Sequence, residues 1–128
     1  MYPTPSESVR LGAIQELIEA FPGAEIGLSD HSLSNYPCIA SVALGASILE
    51  RHYTDTRSRL GPDIVCSMDE SDLVQLIEAT RIVHQARGGS KRPIEGENPT
   101  IAFAFASVVF VSCKKTTEGP AAAQGIVV

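Results

Sequence analysis

The sequence lacks the features that mark several classes of protein. It contains no tryptophan, and its three cysteines, Cys38, Cys66 and Cys113, lie far apart without a Cys-x-x-Cys pair. An odd number of widely spaced cysteines argues against a disulfide scaffold and against a structural zinc site. The cysteines are most simply explained as buried thiols in a reducing compartment.

Clustered basic residues and long apolar runs are also missing. The chain has 10 lysines and arginines against 15 aspartates and glutamates, which gives a formal net charge of −5. This balance excludes nucleic acid as an expected partner. No apolar run reaches the ~18 residues that a membrane span requires, and the first residues do not resemble a signal peptide. We therefore expect a cytoplasmic protein that does not contact a membrane.

What is present is an alternation of predicted helices and strands. Residues 6–20 carry apolar side chains at the spacing of one helical face. Strand-like segments at 24–28 and 47–50 flank a run of small and apolar residues at 36–46, which predicts a buried crossover helix. This order favours βα repeats and a parallel sheet.

The second half of the chain begins with a polar segment, residues 53–67, which is a candidate functional loop. A capping box from Ser67 to Glu70 then predicts a helix that ends near residues 87–89. Two strands do not complete a parallel sheet, which is normally covered on both faces, and a (β/α)8 barrel takes about 250 residues. The pattern therefore predicts a segment of a larger α/β fold.

Two histidines close the two predicted strands. His31 and His52 are separated by one strand–helix repeat, so both imidazoles should emerge at the carboxyl edge of one sheet. Alternation places Ser29 on the same face as His31, and Glu50 on the same face as His52. Two imidazoles with an otherwise open coordination shell suit a catalytic divalent metal. The alternative, that each histidine only forms a hydrogen bond at its strand end, stays open here. Asp30 faces the other way and should bond a neighbouring strand or loop.

Several linked motifs lie at residues 2–5, 27–32, 42–46, 48–54 and 61–63. In order and spacing they resemble the latter part of the catalytic barrel of bacterial sialic acid (N-acetylneuraminate) synthases. The resemblance implies a partial (β/α)8 barrel, consisting of its last two strands with about three helices, over residues 1–109. Residues 110–128 diverge from the family and are expected to form a flexible tail.

The resemblance implies a reaction and a set of partners. Members of this family condense phosphoenolpyruvate with open-chain N-acetylmannosamine, which releases phosphate and forms N-acetylneuraminate. By this similarity His31 and His52 hold the catalytic divalent metal, Mn²⁺ or Mg²⁺. The complete enzyme is expected to be a homodimer.

The same resemblance assigns four further site residues. Ser29 matches a serine that contacts the phosphate of phosphoenolpyruvate, and Tyr2 and Asp63 match residues that line the amino-sugar pocket. Glu50 lies beside the metal and is the expected catalytic carboxylate. These roles come from the resemblance and not from the spacing of the residues.

Departures from the family limit what the chain alone is expected to do. The first five or six strands, with most of the phosphoenolpyruvate contacts, have no counterpart here, and neither does the C-terminal antifreeze-like domain. Leu60 also replaces the usual proline before Gly61. We therefore expect the isolated chain to be inactive. Two alternatives remain open: a fragment of a legionaminic or pseudaminic acid synthase, and a non-catalytic α/β interaction module.

Overall fold

A computed structural model describes residues 1–92, 94–97 and 100. Residues 101–109 of the predicted barrel segment and the whole of the predicted tail, 110–128, lie outside the described residues. The chain divides into two units, Met1–Gly89 and Ser90–Val128. In the second unit the structure describes one 3₁₀ helix, Glu95–Glu97. The fold and the site discussed below belong to the first unit.

The first unit is an α/β segment, as predicted. Its two strands form a parallel sheet, with Gly27 in register with Ile48 and Asp30 with Arg51. Among the residues that the structure describes, no helix is long and apolar enough to cross a membrane. The elements in chain order are α1 (Ala13–Ala20), β1 (Gly27–Asp30), α2 (Tyr36–Ala43), β2 (Ile48–Arg51) and α3 (Glu70–Ala86).

The first predicted helix is interrupted. Residues 6–20 form a short 3₁₀ turn, Ser6–Ser8, followed by α1, and are not one continuous helix. Arg10, between them, has a φ of 55°, in the left-handed region. A helix cannot continue through a residue in that conformation, so the regular helix begins only after Arg10.

The capping box of α3 lies two residues beyond its predicted position. The N-cap is Asp69, whose Oδ1 accepts a hydrogen bond from the Asp72 N–H at 3.0 Å. A hydrogen bond from the Ser71 hydroxyl is the main reason that the pKa of the Asp69 carboxyl is lowered. Ser67 is not free to cap the helix, because its hydroxyl donates to the Asp63 carbonyl at 2.7 Å.

The core lies between the sheet, α2 and α3. Cys38 is fully buried there, and burial, assisted by the nearby Asp30 carboxylate, raises the pKa of its thiol to about 12. Cys66 is also buried, which confirms two of the three predicted buried thiols; Cys113 lies outside the described residues. The core residues are Cys38, Met68 and Leu76, against which Leu28, Ile39, Leu49 and Leu73 pack.

The two strands lie close together at Gly27. A Cβ atom added there would lie 2.5 Å from the Ile48 carbonyl oxygen and 2.8 Å from the Ile48 Cβ. The contact is with backbone, so it cannot be relieved by a rotamer change. Because overpacking costs about 1–3 kcal/mol, we expect Gly27→Ala to lower the free energy of unfolding by that amount, as measured by urea denaturation.

Gly12→Ala is the matched control for this substitution. Gly12 has an ordinary helical φ of −59°, and a Cβ there would meet nothing within 4 Å. The unfolding midpoint of this variant should equal or exceed that of the parent chain. Equal midpoints for Gly27→Ala and the parent would contradict the close approach of the two strands.

Candidate functional site

The two histidines come together at the carboxyl ends of the strands. His31 directly follows β1 and His52 directly follows β2, one position beyond the paired residues Asp30 and Arg51. Their ring centroids are 5.0 Å apart, with an interplanar angle of 66°, and both residues are half-buried. This confirms the prediction that both imidazoles emerge on one side of the same sheet edge. Their role as metal ligands stays a prediction.

Tyr2 lies against the histidine pair from the N-terminal segment. Its ring centroid is 4.2 Å from that of His31 and 6.0 Å from that of His52. The segment is tied to the end of β1 because the Thr4 N–H donates to the His31 carbonyl at 2.9 Å. Tyr2 is thus part of the same site, although it is far from the histidines in sequence and lies outside any helix or strand.

Asp63 lies next to the second histidine of the pair. Its Oδ2 is 3.7 Å from Nδ1 of His52, and both side chains are partly exposed. This distance is longer than a hydrogen bond, so the contact is electrostatic. A carboxylate on the Nδ1 side favours the tautomer in which Nε2 keeps its lone pair for a ligand.

Ser29 and Glu50 are direct partners in the register of the sheet, and both are exposed. Because strand side chains alternate, the pair lies on the face of the sheet from which His31 and His52 project. The structure therefore gathers the six predicted site residues around one edge and one face of the sheet. Tyr2 lies near both histidines and Asp63 lies near His52, while Ser29 and Glu50 precede the two histidines by two residues.

On the other face, Asp30 bonds the neighbouring strand, as predicted. Its Oδ2 is 3.3 Å from Nε of Arg51, and the two side chains are 1% and 4% exposed. The sequence analysis did not identify Arg51. Its position in the register of β2, directly opposite Asp30 and directly before a histidine, was the signal that could have revealed it.

The donor set fits a divalent metal bound by two protein ligands. Imidazole nitrogens bind first-row metals at about 2.0–2.1 Å, and two rings with centroids 5.0 Å apart can point at one ion. Within the described ranges, no group of three or more histidine, cysteine, aspartate or glutamate side chains could hold a metal ion. Two imidazoles leave coordination positions open, and open positions are what a catalytic metal requires for water or substrate.

Comparison with known proteins gives a family. Residues 1–92 match the model of the NeuB family. The chain is 35% identical over 109 residues to the N,N'-diacetyllegionaminic acid synthase of Campylobacter jejuni, covering 84% of this chain and 32% of that protein. It is 36% identical over 93 residues to the human N-acetylneuraminate-9-phosphate synthase, covering 73% of this chain and 26% of that protein.

A solved structure gives the corresponding fold. The crystal structure of the N-acetylneuraminic acid synthetase of Leptospira borgpetersenii matches with a TM-score of 0.70 and 32% identity, covering 83% of this chain and 37% of that one. The chain spans about a third of the length of the curated relatives it matches. Its helices and strands match part of the sialic acid synthase barrel. The chain therefore belongs to the NeuB family, whose members include synthases of sialic, legionaminic and pseudaminic acids.

Proposed function

We propose that the chain forms the metal-binding end of the active site of a synthase that condenses phosphoenolpyruvate with N-acetylmannosamine to give N-acetylneuraminate and phosphate. The observation that carries this proposal is the convergence of His31 and His52, with Tyr2 and Asp63 beside them, in a member of the NeuB family. A bound Mn²⁺ or Mg²⁺ would supply Lewis-acid polarisation of the sugar aldehyde.

The reaction balances with one water. A bond forms between C3 of phosphoenolpyruvate and the aldehyde carbon, water adds at C2, and the C–O bond to phosphate is lost as phosphate leaves. The developing charge on the aldehyde oxygen requires stabilisation in a site from which bulk water is excluded. The histidine pair lies at the carboxyl edge of a parallel sheet, which is where α/β barrel enzymes place their active sites.

The other residues divide between the two substrates. Ser29 offers a hydroxyl to the phosphate of phosphoenolpyruvate, while Tyr2, beside His31, and Asp63, beside His52, line the space for the amino sugar. Glu50, opposite Ser29 in the register, is the proposed catalytic carboxylate. In this arrangement the sugar lies above the sheet edge and the phosphate lies over the face of the strands.

A second candidate substrate is the amino sugar from which legionaminic acid is made. The observation in its favour is the 35% identity to a legionaminic acid synthase over 84% of the chain. The chemistry at the aldehyde is the same in both cases. The two candidates therefore differ only in which acylamino sugar the pocket beside Tyr2 and Asp63 accepts.

The test reconstitutes a barrel from two polypeptides. The chain would be co-expressed with the part of the Campylobacter jejuni synthase that precedes the matched region, and phosphate release would be measured with Mn²⁺ and phosphoenolpyruvate. We expect release that depends on N-acetylmannosamine and stops when the metal is chelated. Release only with the legionaminic acid precursor would favour the second candidate.

The matched control is the same N-terminal part paired with its own C-terminal part. If that control pair is active and the pair containing this chain releases no phosphate with any amino sugar, the proposed function is wrong. If activity survives chelation of the metal, the metal assignment is wrong but the proposed reaction is not.

A further inference from the structure

Each histidine of the site follows a member of a buried ion pair. Asp30 and Arg51 are partners in the sheet register and directly precede His31 and His52. The carboxylate and the guanidinium are almost completely buried on the side of the sheet away from the imidazoles. The pair therefore links the two strands at the point from which the histidines emerge.

The Arg51 guanidinium also holds the loop that follows His31. Its Nη1 donates to the Ser34 carbonyl at 2.8 Å and to Oδ1 of Asn35 at 2.6 Å. Its Nη2 donates to the Ser32 carbonyl at 2.7 Å. The planar fork of arginine makes these bonds simultaneously, which the single ammonium of a lysine cannot do in the same geometry.

The Asp30 carboxylate holds the same loop from its other side. Its Oδ1 accepts from the Ser32 N–H at 3.1 Å, and its Oδ2 accepts from the Ser32 hydroxyl at 2.9 Å. Asn35 extends the network to α3, because its Nδ2 donates to the Asp72 carbonyl at 2.8 Å. The backbone of His31 is thus fixed on both sides, and the network is anchored in a helix.

Burial of an ion pair is weak evidence that the pair stabilises the fold. Removing two charges from water is expensive, and well-packed apolar residues often replace a buried pair without loss of stability. In the described part of the chain, the one buried side-chain nitrogen or oxygen that lacks a hydrogen bond is Nε of Arg51, which faces Asp30. What the pair provides is alignment, since a slip of one residue moves a strand by about 3.3 Å and turns its side chains to the other face.

We infer that Asp30 and Arg51 are positioning residues that hold His31 and His52 at the separation needed to bind one metal ion. This inference rests on the proposed metal site and adds to it two residues that would not contact the metal. It predicts that weakening the ion pair separates the imidazoles while the rest of the unit stays folded.

The test uses nuclear magnetic resonance of the full 128-residue chain labelled with ¹⁵N-histidine and carrying no tag. The chain has three histidines, so His84→Gln leaves the two of interest. In this parent we expect nuclear Overhauser effects between the two rings, and both imidazoles should shift together as one equivalent of Zn²⁺ is added. Asp30→Asn should weaken the ring-to-ring effects and lower the Zn²⁺ affinity about 10- to 100-fold, the range for residues that orient metal ligands.

Asp55→Asn is the matched control, because it removes the same charge from an exposed pair with Arg59. It should leave the ring-to-ring effects and the Zn²⁺ affinity as in the parent. Arg51→Lys is the second test variant, since it keeps a positive charge opposite Asp30 but loses the fork that holds Ser32 and Ser34. We expect it to behave like Asp30→Asn, with circular dichroism unchanged.

The outcomes separate the two proposals. Ring-to-ring effects and Zn²⁺ affinity equal to the parent in both test variants would overturn the positioning role, and so would global unfolding of both, since the pair would then be purely structural. If the parent shows the ring-to-ring effects and binds no Zn²⁺, the metal site is refuted. Loss of the effects in Asp30→Asn would still support positioning in that case.

Discussion

Replacing His31 or His52 with alanine is expected to abolish metal-dependent turnover in the reconstituted synthase and to lower the Mn²⁺ affinity of the chain by about 100-fold or more. Each substitution removes one of the two proposed imidazole ligands, whose ring centroids lie 5.0 Å apart. Both side chains are half-buried, so the free energy of unfolding should change by less than about 1 kcal/mol. Electron paramagnetic resonance of free Mn²⁺ measures the affinity, and urea denaturation measures the stability.

The remaining histidine provides the control. His84 lies in the last turn of α3. His84→Ala should leave both the Mn²⁺ affinity and the turnover unchanged. If His31→Ala and His52→Ala each retain the parent affinity, the two imidazoles do not share an ion and the metal assignment is refuted.

The sequence was sufficient to predict the part of the site that depends on regular structure. A strand has a period of two and parallel neighbours share an edge, so two histidines one βα repeat apart had to meet if the strands paired in register. The observed register, Asp30 with Arg51, satisfies that condition. The opposite orientation of Asp30 followed from the same alternation.

Tyr2 and Asp63 could not be predicted in that way. Both lie in segments without a regular repeat, so no spacing rule relates them to His31 or His52. Only the resemblance to a known family pointed to them. The structure then placed the Tyr2 ring 4.2 Å from that of His31 and the Asp63 carboxylate 3.7 Å from Nδ1 of His52.

Two predicted helix boundaries were wrong, because a local backbone conformation or hydrogen bond prevented the predicted structure. Arg10 takes a left-handed conformation and interrupts the segment that was predicted to form a single first helix. Ser67 donates to Asp63 and leaves Asp69 to cap α3. The role of Arg51 was missed for a different reason, because its partners, Ser32, Ser34 and Asn35, are 16 to 19 residues away and are brought to it only by the fold.

The isolated chain is expected to release no phosphate from phosphoenolpyruvate and N-acetylmannosamine in the presence of Mn²⁺, although it holds the proposed metal pair. The condensation depends on hydrogen-bond donors and charged groups that are held around both substrates at once. The chain spans about a third of its relatives, and its sheet has two strands in the described residues. Glu50 and Ser29 are accordingly exposed, where water screens their charges and dipoles.

The measurement is phosphate release by purified chain, with the reconstituted pair as the positive control and His31→Ala chain as the blank. A Mn²⁺ titration of the same preparation distinguishes an incomplete active site from an unfolded one, because a folded chain should bind the ion without turning over substrate. This outcome would also separate the enzyme fragment from a non-catalytic interaction module, for which neither metal binding nor restored turnover is expected. Turnover by the chain alone at the rate of the reconstituted pair would show that the two strands and their loops already hold both substrates.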